Sequence, residues 1–283
     1  LYSLANIANG MVVDVTQYAI VRFIAGVGLA GELGAGITLV SELMRKETRG
    51  YGTAIVASVG ICGALVASIV GAKTHWRTAY FVGGGLGLGL LALRVGVLES
   101  GIFEAAKRRA VKRGDVRSLF TSWSRARRFA SVVLIGVPIW YVVGILVTFS
   151  PEIGKALGMS PAPVAGDAVF YSYLGLAFGD IGSGVLSQLA RSRKKIVGAF
   201  VLLTAVGVVL YFTVGHSSLG AFYATCVGLG VATGYWAVFM TMASEQFGTN
   251  IRATVTTTAP NLVRGAVVLI TSMFQALKAP FGV

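Results

Sequence analysis

RFIAGVGLAGELGAG, residues 22–36, decides how the whole chain is read. Its glycines at 26, 28 and 31 have the GxGxxG spacing of a dinucleotide-binding turn. That turn needs a strand entering it and a helix leaving it within a βαβ unit. The preceding residues QYAIVRFIA continue one apolar run, so no strand ends there. Gly26, Gly28, Gly31, Gly34 and Gly36 instead lie along one helix, where small residues let neighbouring backbones approach closely. The second glycine cluster, VGGGLGLGL at 82–90, reads the same way.

Composition supports that helix as a membrane span. The chain has 283 residues, 55% hydrophobic and only 12% charged, with a mean hydropathy of +0.77; a soluble domain carries about 25% charge. Roughly 20 apolar residues are needed to cross a ~30 Å hydrocarbon layer. Residues 51–72 and 129–151 meet that length without a titratable Asp, Glu, Lys, Arg or His, and 196–244 contains only His216, which predicts a helical hairpin turning near GHSSLG. Residues 18–43 qualify with Arg22 and Glu32 inside, 168–190 with Asp180, 253–277 with Arg264, and 77–98 with Arg94 near the end. Residues 1–13 are too short to span and read as the last part of a helix. The expected fold class is all-α: a polytopic transmembrane helix bundle with about eight full spans and one partial span.

Charge sets the expected orientation. Alternating loops at 44–50, 99–128, 191–195 and 245–252 hold seventeen of the 24 Lys and Arg, while the opposite loops and their edges hold four. The positive-inside bias puts the basic loops in the cytoplasm. That bias, with an amphipathic surface helix in 104–128, accounts for the net charge of +13 without nucleic acid. The long basic loop divides the chain into 1–98, a partial N-terminal helical half; 99–128, a cytoplasmic linker; and 129–283, a C-terminal half lacking its last helix. Cys62 and Cys226 lie in apolar runs, and His75 and His216 lie far apart, so neither a disulfide framework nor a metal cluster is expected.

Glycine packing does not account for Arg22 and Glu32. A charge within a span costs ~2.5 to 3.5 kcal/mol or more and usually faces a protein interior or a water-filled path. The run RFIAGVGLAGE, 22–32, resembles the RxxxGxGxxGE signature in the fourth helix of the major facilitator superfamily, and ELMRKETRG, 42–50, resembles the motif following that helix. Trp76 with Arg77, and ESGIF at 99–103, are similar to the metabolite and sugar porter branches. By this resemblance the chain covers the end of the third helix through the eleventh. GDIGSGVLSQLARSRKK, 179–195, is similar to the superfamily's glycine and basic loop motif, with Gln188 where an aspartate often stands and Arg191 and Arg193 in the turn.

An internal repeat agrees with two related halves. Glu42 and Arg49 are seven apart, as are Glu245 and Arg252, and the offset of 203 between the two pairs also carries Gly31 onto Gly234 and Glu32 onto Tyr235. Gating contacts are expected across the halves, Glu42 with Arg252 or Glu245 with Arg49. The substrate or proton-coupling residues are expected among Arg22, Glu32, Asp180, Tyr235, Trp236, Arg264, Trp140 and Tyr141; the bland alternative is that these charges and aromatics serve helix packing. Asp180 and Arg264 fall ~15 and ~18 Å from the same surface, which predicts an ion pair between them.

The resemblance implies a monomeric secondary transporter in the cell membrane that moves a small organic metabolite, a carboxylate or a sugar, by alternating access. Proton coupling is expected, with Glu32 or Asp180 as carrier and Arg22 as its electrostatic partner. The competing reading is a transporter-derived sensor or scaffold that binds without moving its ligand. No nucleophile, base and orienting residue converge, and no G-x-x-x-x-G-K-[ST] occurs, so neither an enzyme nor a bound cofactor is expected.

Overall fold

A computed structural model describes residues 1–30, 32, 36, 44, 49–94, 116–247 and 251–281, and among them every regular element is helical. In chain order these are α1 (Tyr2–Asn9), α2 (Val15–Leu29), α3 (Arg49–Lys73), α4 (Trp76–Arg94), a 3-10 turn (Val116–Leu119) and α5 (Trp123–Tyr141). A π-helical segment (Val142–Val147) continues α5. Then follow α6 (Ser150–Ala156), α7 (Ala165–Leu189), α8 (Arg193–Thr213), a 3-10 turn (Gly215–Ser217), α9 (Leu219–Thr233), α10 (Trp236–Glu245) and α11 (Arg252–Phe281).

Side-chain oxygens close several helix starts. Asp14 accepts from the Gln17 amide, Ser122 from Arg125, Ser192 from Lys195 and Ser218 from Ala221, which satisfies donors that a helix start leaves without a partner. The hairpin expected within 196–244 turns at Gly215–Ser217, beside GHSSLG.

The bundle is apolar on the outside. On α8, Leu202, Val206 and Val209 point outward, 48–67% exposed, while Val197, Phe200, Thr204 and Tyr211 face inward. On α11, Val268, Leu269 and Met273 point outward and Val255, Ala259 and Val263 are buried. Polar groups show the opposite preference: Asp180, Ser183, Ser187, Thr233, Thr241 and Thr256 are buried. Water does not favour that arrangement, but hydrocarbon does. Six stretches among the described residues are long and apolar enough to cross a membrane: Ile55–Lys73, Trp123–Val147, Ala165–Leu189, Arg193–Ser217, Leu219–Glu245 and Thr254–Leu277.

Close packing comes from the small residues. The Gly175 and Gly179 faces of α7 lie against α9 so tightly that a Cβ would run into the carbonyls of Val227 and Val231; a Cβ on Gly230 would meet the Ser172 carbonyl. Thr204 ties α8 to α9 by donating to the Ala232 carbonyl at 3.1 Å. Contacts also join residues 1–94 to the rest: Ser58 donates to the Ala177 carbonyl at 3.4 Å, Ala57 packs on Ala237, and Asn261 donates to the Ala30 carbonyl at 2.7 Å.

Candidate functional site: an arginine between two indoles at paired helix breaks

Two helices change course at the centre of the bundle. Pro138 lies inside α5, where its ring removes a backbone donor and disturbs the i−4 carbonyl, and α5 passes into the π segment at Val142. Thr148 closes that segment by donating to the Val143 carbonyl at 2.8 Å, and the Tyr211 hydroxyl donates to the Leu146 carbonyl at 2.8 Å. The second break separates α9 from α10 at Gly234 and Tyr235. Backbone groups freed at such breaks must find partners where no water reaches them.

Asp180 supplies one. It is fully buried on α7, and its Oδ1 accepts the Ala237 amide, near the start of α10, at 3.2 Å. A carboxylate at a helix start satisfies an orphan donor and faces the positive end of the helix dipole. Its Oδ2 is buried with no hydrogen-bond partner. Tyr235 fills another need: its hydroxyl donates to the Ile135 carbonyl at 2.9 Å, beside the Pro138 distortion, and its ring packs on Phe200.

Trp140 and Trp236, each next to a break, meet edge to face with centroids 6.4 Å apart. Arg264 of α11 holds its guanidinium 5.6 Å from the Trp140 ring and 5.7 Å from the Trp236 ring, within the range of a cation–π contact. Tyr173 of α7 lies close enough to interact electrostatically with Arg264. The indole N–H of Trp140 is buried without a partner. One turn before Arg264, Asn261 makes the bond to Ala30 that ties α11 to α2. The site thus presents a cation, two indole faces, a phenol and an unused N–H donor.

The expected ion pair between Asp180 and Arg264 is not formed. No carboxylate pairs with Arg264 among the described residues, and Asp180 faces α10. Counting residues gave their depth, while rotation about each helix axis turned one toward the α10 start and the other toward the indoles. Arg22 is not a partner of Asp180 either; its ring neighbours are Tyr18 and Tyr80, each at 6.0 Å, whose hydroxyls bond each other at 3.0 Å. Glu32 is exposed. Tyr141 packs against the buried cluster that includes Val142, Leu146 and Tyr211.

The expected pairing of Glu245 with Arg49 involves a side chain outside the described residues. Both Glu245 oxygens are taken by Arg193, at 2.8 Å each, because the turn before α8 brings that guanidinium alongside the end of α10 and a two-point fork suits a carboxylate. Arg252 donates to the Ser244 carbonyl at 3.1 Å. The alternative pair of Glu42 with Arg252 lies outside the described residues, as does the Arg49 side chain. Arg191 adopts a left-handed φ of 48° in the turn, and the Gln188 amide nitrogen is buried without a partner.

The sequence alone does not single out Tyr173 or Asn261. Asn261 had a signal, since it stands three residues before Arg264 and so on the same helix face.

Comparison with known proteins agrees with this architecture. A 3-(3-hydroxy-phenyl)propionate transporter of Escherichia coli is 29% identical over 269 residues, 90% of this chain and 62% of that protein. A probable 4-methylmuconolactone transporter of Cupriavidus pinatubonensis is 25% identical over 266 residues, 89% of this chain and 60% of that protein. A niacin transporter of Acinetobacter baylyi is 35% identical over 88 residues, 30% of this chain and 20% of that protein. The chain therefore spans about three fifths of the length of the first two relatives. A sequence profile of the Major Facilitator Superfamily matches residues 1–271, and with its apolar-surfaced helix bundle the chain belongs to that superfamily.

Proposed function

We propose that the protein is a secondary transporter of a small aromatic carboxylate, with Arg264 holding the carboxylate and Trp140 and Trp236 flanking the ring. The observation that carries this reading is Arg264 between two indole faces with no carboxylate partner among the described residues. A cation at bundle depth without a counter-charge is costly, and a substrate anion removes that cost. A guanidinium fork matches a carboxylate at two points, the indole faces suit a flat ring, and the free Trp140 N–H offers a polar contact to a ring substituent. The relatives' hydroxyphenylpropionate, muconolactone and niacin favour a carboxylate or heterocyclic substrate over a sugar.

Under this reading the chain divides as 1–98, 99–128 and 129–283, with the basic segment cytoplasmic, and the two parts rock about the site in a monomer. Proton coupling runs through Asp180: its Oδ2 has room for a proton, and its Oδ1 holds the start of α10, which carries Trp236. Protonation then weakens the grip on α10 and loosens one wall of the site. Glu245 and Arg193 act as a latch at the bundle end.

Titration of the purified protein with 3-(3-hydroxyphenyl)propionate, followed by tryptophan fluorescence, tests the reading. Saturable quenching by the acid, with the corresponding amide at least about tenfold weaker, is expected from the ~1.5–3 kcal/mol of a charged hydrogen bond. Equal binding of acid and amide would refute the role of Arg264.

A further inference from the structure

Ser58 and Asn261 both tie residues 1–94 to the C-terminal helices, and they occupy equivalent positions in the internal repeat. The offset of 203 that carries Arg49 onto Arg252 also carries Ser58 onto Asn261. α3 starts at Arg49 and α11 at Arg252, so each residue stands nine positions into its helix, ~14 Å from the start. Ser58 donates to the Ala177 carbonyl of α7 at 3.4 Å. Asn261 donates in the reverse direction, to the Ala30 carbonyl at the end of α2, at 2.7 Å.

Local geometry aims both donors outward. Buried hydroxyls such as those of Thr233, Thr241 and Ser244 donate within their own helix, whereas Ser58 reaches a neighbour. Asn261 rests its amide nitrogen on the Thr257 carbonyl, one turn back, at 2.8 Å, which leaves a second N–H for Ala30. Beside Ser58, Ala57 packs on Ala237 of α10, methyl against methyl. Arg264 lies three residues beyond Asn261, almost one turn deeper. The start of α11 is fixed at the bundle end that carries the Glu245–Arg193 pair, because Arg252 donates to the Ser244 carbonyl. The two tethers therefore lie between that end and the level of Arg264. The offset also carries Ile61 onto Arg264, and Ile61 packs on the hydrophobic core; the tether is paired where the cation is single.

We propose that Ser58 and Asn261 form a two-point clasp that shuts the Arg264 site toward the end of the bundle bearing the Glu245–Arg193 pair and releases when the two parts rock. The clasp rests on the transporter reading above, since a site that serves both sides must open at this end once per cycle. Side-chain donors on carbonyls suit a contact that is remade each time: water replaces each bond when the interface parts, so the net cost of release is modest.

The test follows N-ethylmaleimide labelling of the full-length protein in detergent, read peptide by peptide in the mass spectrometer, with no ligand added. Ala57→Cys in a Cys62→Ser background reports parting of the interface, since Ala57 is 6% exposed against Ala237. Cys226, 0% exposed within the C-terminal helices, is the internal reference. Asn261→Leu keeps the side-chain volume without the donor and is expected to raise labelling of Ala57→Cys about tenfold. Ser58→Ala, which loses the longer and weaker bond, should raise it about twofold. The double variant should give the product, about twentyfold. Should one single variant fail to fold, the other decides. Unchanged labelling in the folded variants overturns the clasp, and so does a rise matched at Cys226, which marks general loosening. Because no ligand enters, these outcomes are independent of the aromatic-acid reading, whose own failure shows as equal binding of acid and amide.

Discussion

Asp180→Ala removes the acceptor that holds the start of α10, and its cost can be worked from the contacts. Ala237 is 1% exposed, and its N–H donates to Asp180 Oδ1 at 3.2 Å. Without that oxygen the amide is left buried and unpaired, costing about 1–3 kcal/mol. The lost interaction of a charged carboxylate with the helix dipole adds up to ~2 kcal/mol. A destabilisation of about 1–5 kcal/mol is therefore expected, read as unfolding in mixed detergent and dodecyl sulfate micelles. Asp180→Asn keeps an acceptor of the same shape and is expected to cost about 1 kcal/mol, the dipole part alone. The double variant with Arg264→Gln separates this geometry from an ion pair. Breaking a buried pair would give strong coupling, since losing one partner costs about 3–5 kcal/mol by stranding the other charge; the capping arrangement predicts coupling below about 1 kcal/mol. Wild-type stability in Asp180→Ala, or an Arg264→Gln change that rescues it, refutes the capping role.

Three further outcomes follow from other contacts. Gly230→Leu pushes a side chain into the Ser172 carbonyl of α7 and should cost about 1–3 kcal/mol or more by overpacking, whereas Gly228→Leu, with open space at its Cβ, should be nearly neutral in the same unfolding assay. Arg193→Gln leaves Glu245 without its fork and should lower stability by about 1 kcal/mol for this partly exposed pair; an unchanged unfolding midpoint would show that the pair is decorative. Orientation is checked with single cysteines at Ser118 and Ser217 in a background lacking Cys62 and Cys226: an impermeant maleimide should reach the first from the cytoplasmic side and the second from outside, and labelling of both from one side contradicts the topology.

Much of the helix framework was legible because it depends on local properties. Apolar run length located α3, α7, α8 and α11 to within a few residues, and the polar GHSSLG marked the turn between α8 and α9. The glycines of the opening stretch read as helical, and Gly26 and Gly28 lie in α2. The site was less legible. Depth along a helix follows from counting at 1.5 Å per residue, so Asp180 and Arg264 were placed near one level. Which way each points depends on about 100° of rotation per residue and on neighbours far away in sequence. The break between α9 and α10 was also hidden: TGYW contains no proline, and its gap is held open by Asp180 from another helix and by Tyr235 reaching Ile135. Residue type alone singles out Trp140 and Trp236, but their meeting around Arg264 is a tertiary fact.

The central claim, an aromatic carboxylate carried by Arg264 between two indoles, is tested most directly by counterflow. Proteoliposomes containing the full-length protein and loaded with unlabelled 3-(3-hydroxyphenyl)propionate should transiently accumulate the labelled acid. Arg264→Gln should reduce the rate at least about tenfold, as expected for loss of a charge-assisted contact, and Arg264→Lys, which keeps the charge but not the planar fork, should restore only part of it. Accumulation by Arg264→Gln at the wild-type rate, with Trp140→Ala and Trp236→Ala equally unaffected, would contradict the account.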